Sequence, residues 1–436
     1  MTKPLNPPSN ETEATAFLRD LFGHAVTSAM PQTCLPNFLP QPPKGRTLAV
    51  AIGKAAASMA RSVEQHWPDN APLTGIALTR YGHGEKCERI EVIEAAHPVP
   101  DDRGFEATKQ IMTNAGSLTE KDMLLVLVSG GGSALMTAPA QGIKLSEKQA
   151  INKALLMSGA PIGEMNVVRK HLSSVKGGRL AQVAAPAQVV TLAISDVPHD
   201  DPSTIASGPT VPDASTCDDA LALIEQYGIE VSPAVRDHLE SPQAETPKPG
   251  DPIFERTKFH MISRPKDMIE TIARRCSHAG ISVENLGADI EGEAHDVARI
   301  HADLARLSTA QLILSGGETT VTVANNEKPG RGGRNCEYLL ALAVALNGES
   351  GVCAIAADTD GIDGSETNAG AVITPDTLMR AKALGLNAQD HLDRHDSFTF
   401  FERLGDLVTT GPTRTNVNDF RAIWTGRKPN DTVRGG

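Results

Sequence analysis

From Thr47 onward, short apolar runs alternate with stretches of helical periodicity. Leu48–Ile52, Gly75–Leu78, Ile90–Ile93, Met123–Val128 and Val189–Ile194 are apolar almost without interruption. Continuous rather than alternating apolar character marks strands covered on both faces, the condition of a parallel sheet. Ala55–Gln65, Gly104–Asn114, Glu147–Ser158 and Val168–Ala181 carry helical spacing between several of these runs. Strand–helix alternation predicts an α/β chain, a Rossmann-like α/β/α sandwich with a mostly parallel sheet. Ahead of it, Phe17, Leu18, Leu21, Phe22, Ala25, Val26 and Ala29 recur at the spacing of one buried helical face. Prolines at 31, 36, 40, 42 and 43 then make a connecting loop.

The pattern changes at Glu240–Pro252, where ESPQAETPKPGDP holds four prolines and nothing apolar larger than alanine. It reads as a surface linker between a first domain, 1–240, and a second, 253–436. Beyond it, Phe259–Ile262, Ser282–Leu286, Gln311–Leu314, Thr319–Ala324, Cys353–Ala357 and Leu407–Val408 predict strands, and Asp267–His278, Ala294–Leu307 and Glu337–Ala345 predict helices. The second half is expected to be a smaller, mixed α/β domain. Leu125–Val128 and Leu312–Leu314 each run into Ser-Gly-Gly. The expectation is two similar turns at strand C-termini, where open α/β sheets bind ligands.

Charge and composition narrow the chemistry. The formal net charge is −12 and no basic run exceeds two residues, against nucleic-acid backbone binding. Aromatic residues are 3%, too few for a stacking platform. The six cysteines are widely spaced without a zinc pattern, as expected of free thiols in a reducing compartment. The apolar run Leu339–Leu346 stops after eight residues, short of the ~20 a membrane span needs. With no apolar segment behind Lys3, a cytoplasmic protein acting on a small anion is expected.

An acidic protein that binds an anion must gather its positive charge locally. Ser129, Gly130, Gly131, Gly132 and Ser133 offer consecutive backbone N–H groups, although the P-loop pattern is absent. Gly53 and Lys54 end a buried strand just ahead of a small-residue helix. Arg331 and Arg334 stand among Gly330, Gly332 and Gly333, where a guanidinium offers paired donors to phosphate. Asp196, Asp200 and Asp201 follow one strand; Asp358, Asp360 and Asp363 follow another, in a pattern suited to Mg²⁺ or simply to turn formation. The Asp358–Gly361 stretch lacks the order and closing Glu of an EF-hand. Thr410, Thr413 and Asn416 crowd one further turn. Together these features favour phosphoryl transfer, which needs positioning, cations and a metal.

At these residues the chain resembles the class II glycerate 2-kinases, whose C-terminal part is the MOFRL domain. The runs that carry the resemblance include Ile52–Ala55, Val128–Ala134, Lys170–Ser173, Lys176–Gly178, Ser195–Val197, Ile205–Thr210, Ser315–Val321, Gly332–Asn335, Asp358–Gly361 and Thr410–Thr413. The resemblance implies two α/β domains with the active site between them, ATP and Mg²⁺, and phosphorylation of D-glycerate at its 2-hydroxyl. It leaves a homodimer open. On it, Lys54, Arg334 and Asp196 are the expected catalytic residues, and Asp358 and Asp360 the expected metal ligands. Gly53, Ser129–Ser133, Ser315, Gly316, Gly317, Glu318, Arg331, Asn335, Thr410 and Thr413 would bind substrate or nucleotide. Cys336, Arg414, Ala96 and His199 depart from the family pattern, the last three standing in place of glycine. An NAD(P)H-dependent hydroxypyruvate reductase and a non-catalytic sugar-acid binder remain alternatives; a reductase should show a glycine-rich first βα turn, and only Gly53 is present there.

Overall fold

The computed structural model describes residues 5–323 and 330–427. The chain divides into two units, Pro31–Ile262 and a second made of Met1–Met30 with Ser263–Gly436.

In the first unit, β1 (Thr47–Ile52), β2 (Leu73–Arg80), β3 (Ile90–Ala95), β4 (Met123–Val128), β5 (Gln188–Ile194) and β6 (Thr257–Ser263) form one sheet ordered 3-2-1-4-5-6. The pairings β3–β2, β2–β1, β1–β4 and β4–β5 are all parallel. Every residue of β1 and β4 is buried, which is why both read as unbroken apolar runs. Strand order reverses between β1 and β4, and open α/β sheets bind ligands at such a switch point, at the strands' C-terminal ends. Away from the sheet, Ile151, Leu155, Val168, Ile224, Val235 and Leu239 make a second apolar cluster among the helices. Two of its helices, Cys217–Gln226 and Pro233–Leu239, were not predicted.

The other unit is a mixed sheet. It comprises β7 (Val283–Asn285), β8 (Ile290–Glu293), β9 (Leu312–Thr320), β10 (Cys353–Asp358), β11 (Gly370–Ile373), β12 (Leu407–Val408) and β13 (Asp419–Trp424). The order is 12-11-10-13-9-7, with β8 also on β9. β13 lies antiparallel between β10 and β9, while β7 and β8 run parallel to β9. The helix Arg334–Leu346 is buried along nearly its whole length, packing in the core beside Ala354, Ala356 and Ile423.

Several expectations need correction. The boundary at 240/253 is displaced at both ends. The helix Glu11–Ala29 belongs with the C-terminal half: Phe17 meets Trp424, Phe22 meets Phe420, and Thr415 donates to the Ala29 carbonyl. Beyond the proline-rich stretch, β6 returns to the first sheet. The stretch itself is held to the first unit, because Arg179 Nη2 donates to the Ala244 carbonyl at 2.6 Å and Thr246 to Asp213 at 3.1 Å. The helix expected over Val168–Ala181 is broken: one helix stops at His171, and after Gly177 and Gly178, at φ of +58° and +83°, a separate helix runs Arg179–Ala184. Ser315–Gly317 is no turn: β9 runs through it to Thr320, and residues 321–323 leave the sheet. Ala324, the last residue of the other expected strand, lies outside the described residues. Among the described residues no helix is long and apolar enough to cross a membrane.

Candidate active site

In the first unit, the candidate site lies at the ends of β1, β4 and β5, beside the switch point. Gly53 leaves β1 at φ +117°, and a Cβ there would lie 2.3 Å from Ser129 Oγ, so only glycine fits. This close approach binds the two strand ends together: Lys54 N donates to the Gly130 carbonyl at 2.8 Å, and Ala55 N to Ser129 Oγ at 3.0 Å. Gly131, at φ +81°, begins the short helix Gly132–Leu135; His97 and the Lys54 stem lie directly over it. The register Val128↔Ala193 puts Ser195 and Asp196 in the same row of strand ends. Lys54, Ser129–Ser133 and Asp196 thus line one edge of one sheet.

A second lysine joins them. Lys176, 2% exposed, donates from Nζ to the Ser133 carbonyl at 2.6 Å and to Ser133 Oγ at 3.1 Å. Ser133 Oγ lies 2.7 Å from Ser207 Oγ, and Ser207 is itself at φ +60°. Burial, with Arg169 adding to it, pushes the Lys176 ammonium down to about 7. Such a group regains its charge readily when an anion arrives. In the sequence, Lys176 and Ser207 stand only within family-matching runs, with no local feature of their own. Their chemistry was hidden because a buried lysine has no signature of its own in sequence. Asp201 is a turn former, accepting from Ser203 N at 2.9 Å and from the Thr204 hydroxyl.

The other unit gathers charge around the start of the helix Arg334–Leu346. Arg334 donates through Nε to both oxygens of Asp419 at 3.0 Å, through Nη1 to Glu318 at 2.6 Å, and through Nη2 to Asp358 at 2.8 Å. Burial alone would lower its pKa, but Asp419, Asp358 and Glu318 outweigh that and raise it. Buried Arg421 holds Asp419 at 2.8 Å and the Gly316 carbonyl at 3.1 Å. Asn335 reaches Asp419 through Nδ2 at 2.8 Å. Asp363 accepts from the backbone N–H groups of Asn335 and Cys336, both at 2.9 Å, capping the helix from a distant loop. Burial pushes its carboxyl up to about 6, with the two N–H bonds opposing. Asp419 and Arg421 are site residues that the sequence reading misses, with the polar run Thr413–Asp419 as the one local signal, because Arg334, Asn335 and the Gly316 carbonyl reach them from other elements. Asp363, expected as a Mg²⁺ or turn carboxylate, is instead a helix cap.

The remaining predicted residues are spread more widely. Arg331 is an exposed surface group, bound to Glu366 at 2.6 Å and stacked over Phe398 at 4.2 Å. Ser315, Gly316 and Gly317 are strand residues; a Cβ on Gly317 would sit 2.3 Å from the Ile290 carbonyl of β8. Thr413 N donates to the Asp360 carbonyl at 3.0 Å, bringing that turn to the end of β10, while the Thr410 side chain is exposed and bonds only locally. A cavity of about 530 Å³ opens beside Arg334, walled by Glu318, Thr320, Gly333, Glu337 and His395 among others.

Around Arg334 the acidic side chains Glu318, Asp358, Asp360, Asp363 and Asp419 outnumber the two guanidinium groups and are hard oxygen donors of the type Mg²⁺ takes. Glu318, Asp358 and Asp419 are engaged by Arg334 or Arg421, however, and among the described residues no three of the five converge on one point. Asp360 and Asp358 also order the loop: Asp360 N donates to Asp358 Oδ1 at 2.9 Å and Ile362 N to Asp360 Oδ1 at 2.8 Å.

Two family models match the chain, one described as a domain of unknown function over residues 17–240 and the MOFRL family over 311–419. A D-glycerate 2-kinase of Thermotoga maritima is 37% identical over 91% of this chain and 94% of its own. The crystal structure of a glycerate kinase from the same organism superposes with a TM-score of 0.85 at 35% identity, covering 95% of this chain and 99% of that one. The chain belongs to the MOFRL-type glycerate kinase family. A protein of Agrobacterium vitis with the provisional name hydroxypyruvate reductase is 48% identical over 96% of both chains. Within the family's pattern, His199 and Arg414 stand where glycine is expected, and both keep the left-handed backbone, at φ +60° and +62°. This member carries a β-carbon at two positions that favour glycine.

Proposed function

We propose that the protein transfers the γ-phosphoryl group of ATP to the 2-hydroxyl of D-glycerate, giving 2-phospho-D-glycerate and ADP. The observation that carries this reading is the pairing of two lysines with a glycine turn at the sheet's switch point, in a chain of this family. The C2 oxygen attacks the γ-phosphorus. A new O–P bond forms as the bond to the β,γ-bridging oxygen breaks, and the electron pair leaves with ADP. Lys54 and Lys176 stabilise charge on phosphoryl or carboxylate oxygens next to the glycine turn, whose donors are Gly130, Gly131 and Ser133, since Ser129 N is spent on the Ile52 carbonyl and Gly132 N on the Ser129 carbonyl. Asp196 accepts the hydroxyl proton. In the other unit, Arg334 and Asn335 engage nucleotide phosphate. Asp358 and Asp360 would hold Mg²⁺, which when bound offsets phosphate charge that this carboxylate-rich pocket would otherwise repel.

The reductase name draws no support from the first βα unit. Gly53 is its one glycine, and β2 ends in Thr79-Arg80 rather than in the acidic residue that grips a nicotinamide nucleotide's ribose. Incubation with D-glycerate and ATP should form ADP only with Mg²⁺ present, and the product should be dehydrated by enolase without a mutase. NADH oxidation with hydroxypyruvate, and no ADP with glycerate, would replace this reading with the reductase.

A further inference from the structure

Three elements meet at one wall of the cavity beside Arg334. His295 is the second residue of the helix Ala294–Leu307, and Glu337 lies in the first turn of the helix Arg334–Leu346. His395 sits in the turn before the helix Ser397–Leu404. His295 Nε2 and His395 Nδ1 both lie 2.8 Å from the same oxygen, Glu337 Oε1. The two rings stack with centroids 6.2 Å apart. His395 holds φ at +51°, in the left-handed region that a β-carbon disfavours, so its placement is maintained against a local cost.

Glu337 is 2% exposed, and among the described residues no lysine or arginine pairs with it. A carboxylate taken out of water needs a compensating cation. Glu337 raises the His295 pKa, so a proton shared with the imidazoles supplies that charge in the metal-free cluster, and a divalent ion seated on the same three atoms would take its place. All three ligand atoms lie within 4.8 Å of one another. An ion held at ~2.1 Å from each would set them roughly 3.0–3.4 Å apart, a small lengthening of the two 2.8 Å contacts to Glu337 and within the 4.8 Å that bounds the group. Glu337 and His395 both line the cavity, so positions on such an ion would open toward it.

We propose that His295 Nε2, His395 Nδ1 and Glu337 form a three-ligand site for a divalent transition-metal ion, open to water or an anionic oxygen in the cavity. Imidazole nitrogen selects zinc, cobalt or nickel over Mg²⁺, so the site is chemically distinct from the all-oxygen set around Asp358. In the metal-free cluster each of the two nitrogens donates its hydrogen to Glu337. Binding moves that hydrogen to the other ring nitrogen or to solvent and frees a lone pair for the metal. The site does not depend on the glycerate kinase reading.

The test uses the full chain, stripped with a chelator and titrated with Co²⁺ and Zn²⁺. One ion per chain, a visible cobalt band of nitrogen–oxygen coordination and a raised Tm are expected. His295→Gln and His395→Gln should each weaken binding by at least ~10-fold and remove the band. His295 is 33% exposed, so its glutamine variant should fold; circular dichroism of the metal-free variant checks that. No binding by the parent chain, or undiminished binding and an unchanged band in both folded variants, overturns the site.

Discussion

Arg334 Nε lies 3.0 Å from both carboxylate oxygens of Asp419, a residue with no exposed side-chain surface. Asp419 opens β13, and Arg334 opens the helix that packs over that strand's sheet. The guanidinium is thus aimed by a carboxylate that cannot itself reach solvent. Its other two donors go to Glu318 at the end of β9 and Asp358 at the end of β10. One planar cation joins three neighbouring strands, which an ammonium could not do. Arg334→Lys should therefore lower kcat/KM for the proposed kinase by ~10²–10³ while leaving the far-ultraviolet spectrum unchanged. Full activity in the lysine variant would remove Arg334 from the chemistry.

Lys54 makes a separate case. It emerges from β1 beside Gly131, where a transferring phosphoryl group would meet the turn's N–H donors. Lys54→Met should cost ~10²–10³ in kcat. A rise in KM alone would make it a binding residue only.

Lys176 predicts a pH dependence. Its ammonium, held down to about 7 by burial, is charged below that value and neutral above it in the ligand-free protein. Anion binding to the first unit should weaken as pH rises through about 7, and the bound anion should raise the lysine's pKa in return. For folding the sign is the opposite. The unfolded lysine binds a proton that the native one lacks between about 7 and the ordinary value of 10.5, so this group's contribution to stability increases over that window. Phosphate titrations at several pH values, repeated with Lys176→Met, check the binding half. The methionine variant should bind weakly at every pH.

Asp363 should matter for stability more than for chemistry. Removing it leaves Asn335 N and Cys336 N without their cap at a buried helix start. Asp363→Ala is expected to cost ~1–2 kcal/mol by denaturant titration. The native carboxyl, raised to about 6, also loses stability as pH climbs from its ordinary 3.8 through 6, because the folded state gives up a proton there that the unfolded state has already lost. That slope should vanish in Asp363→Asn.

Asp196 and Asp358 can be separated by metal. Asn substitution at the residue holding Mg²⁺ should be partly relieved by excess Mg²⁺, and substitution at the proton acceptor should not. We expect relief for Asp358→Asn only. Equal, metal-independent losses at both positions would undo that assignment.

The first sheet was legible because β1, β4 and β5 are covered on both faces, and burial on both faces writes an uninterrupted apolar run into the chain. Gly53-Lys54 and Ser129–Ser133 were legible for a related reason: a strand end followed by glycine is a local feature. The same tripeptide, Ser-Gly-Gly, shows where locality fails. After β4 it turns, and in β9 it stays extended, hemmed between β13 and β8. Glycine has no side chain to impose a conformation, so its neighbours in space decide. Likewise the apolar stripe of Glu11–Ala29 announced a buried helix but not which core would bury it. The pairings of Arg334 with Asp419, of Asp363 with Asn335, and of Lys176 with Ser133 join residues far apart along the chain. Periodicity and turn chemistry act over a few residues and are written in the sequence itself. Which charges meet is set by strand order and burial, and those exist only once the sheets have formed.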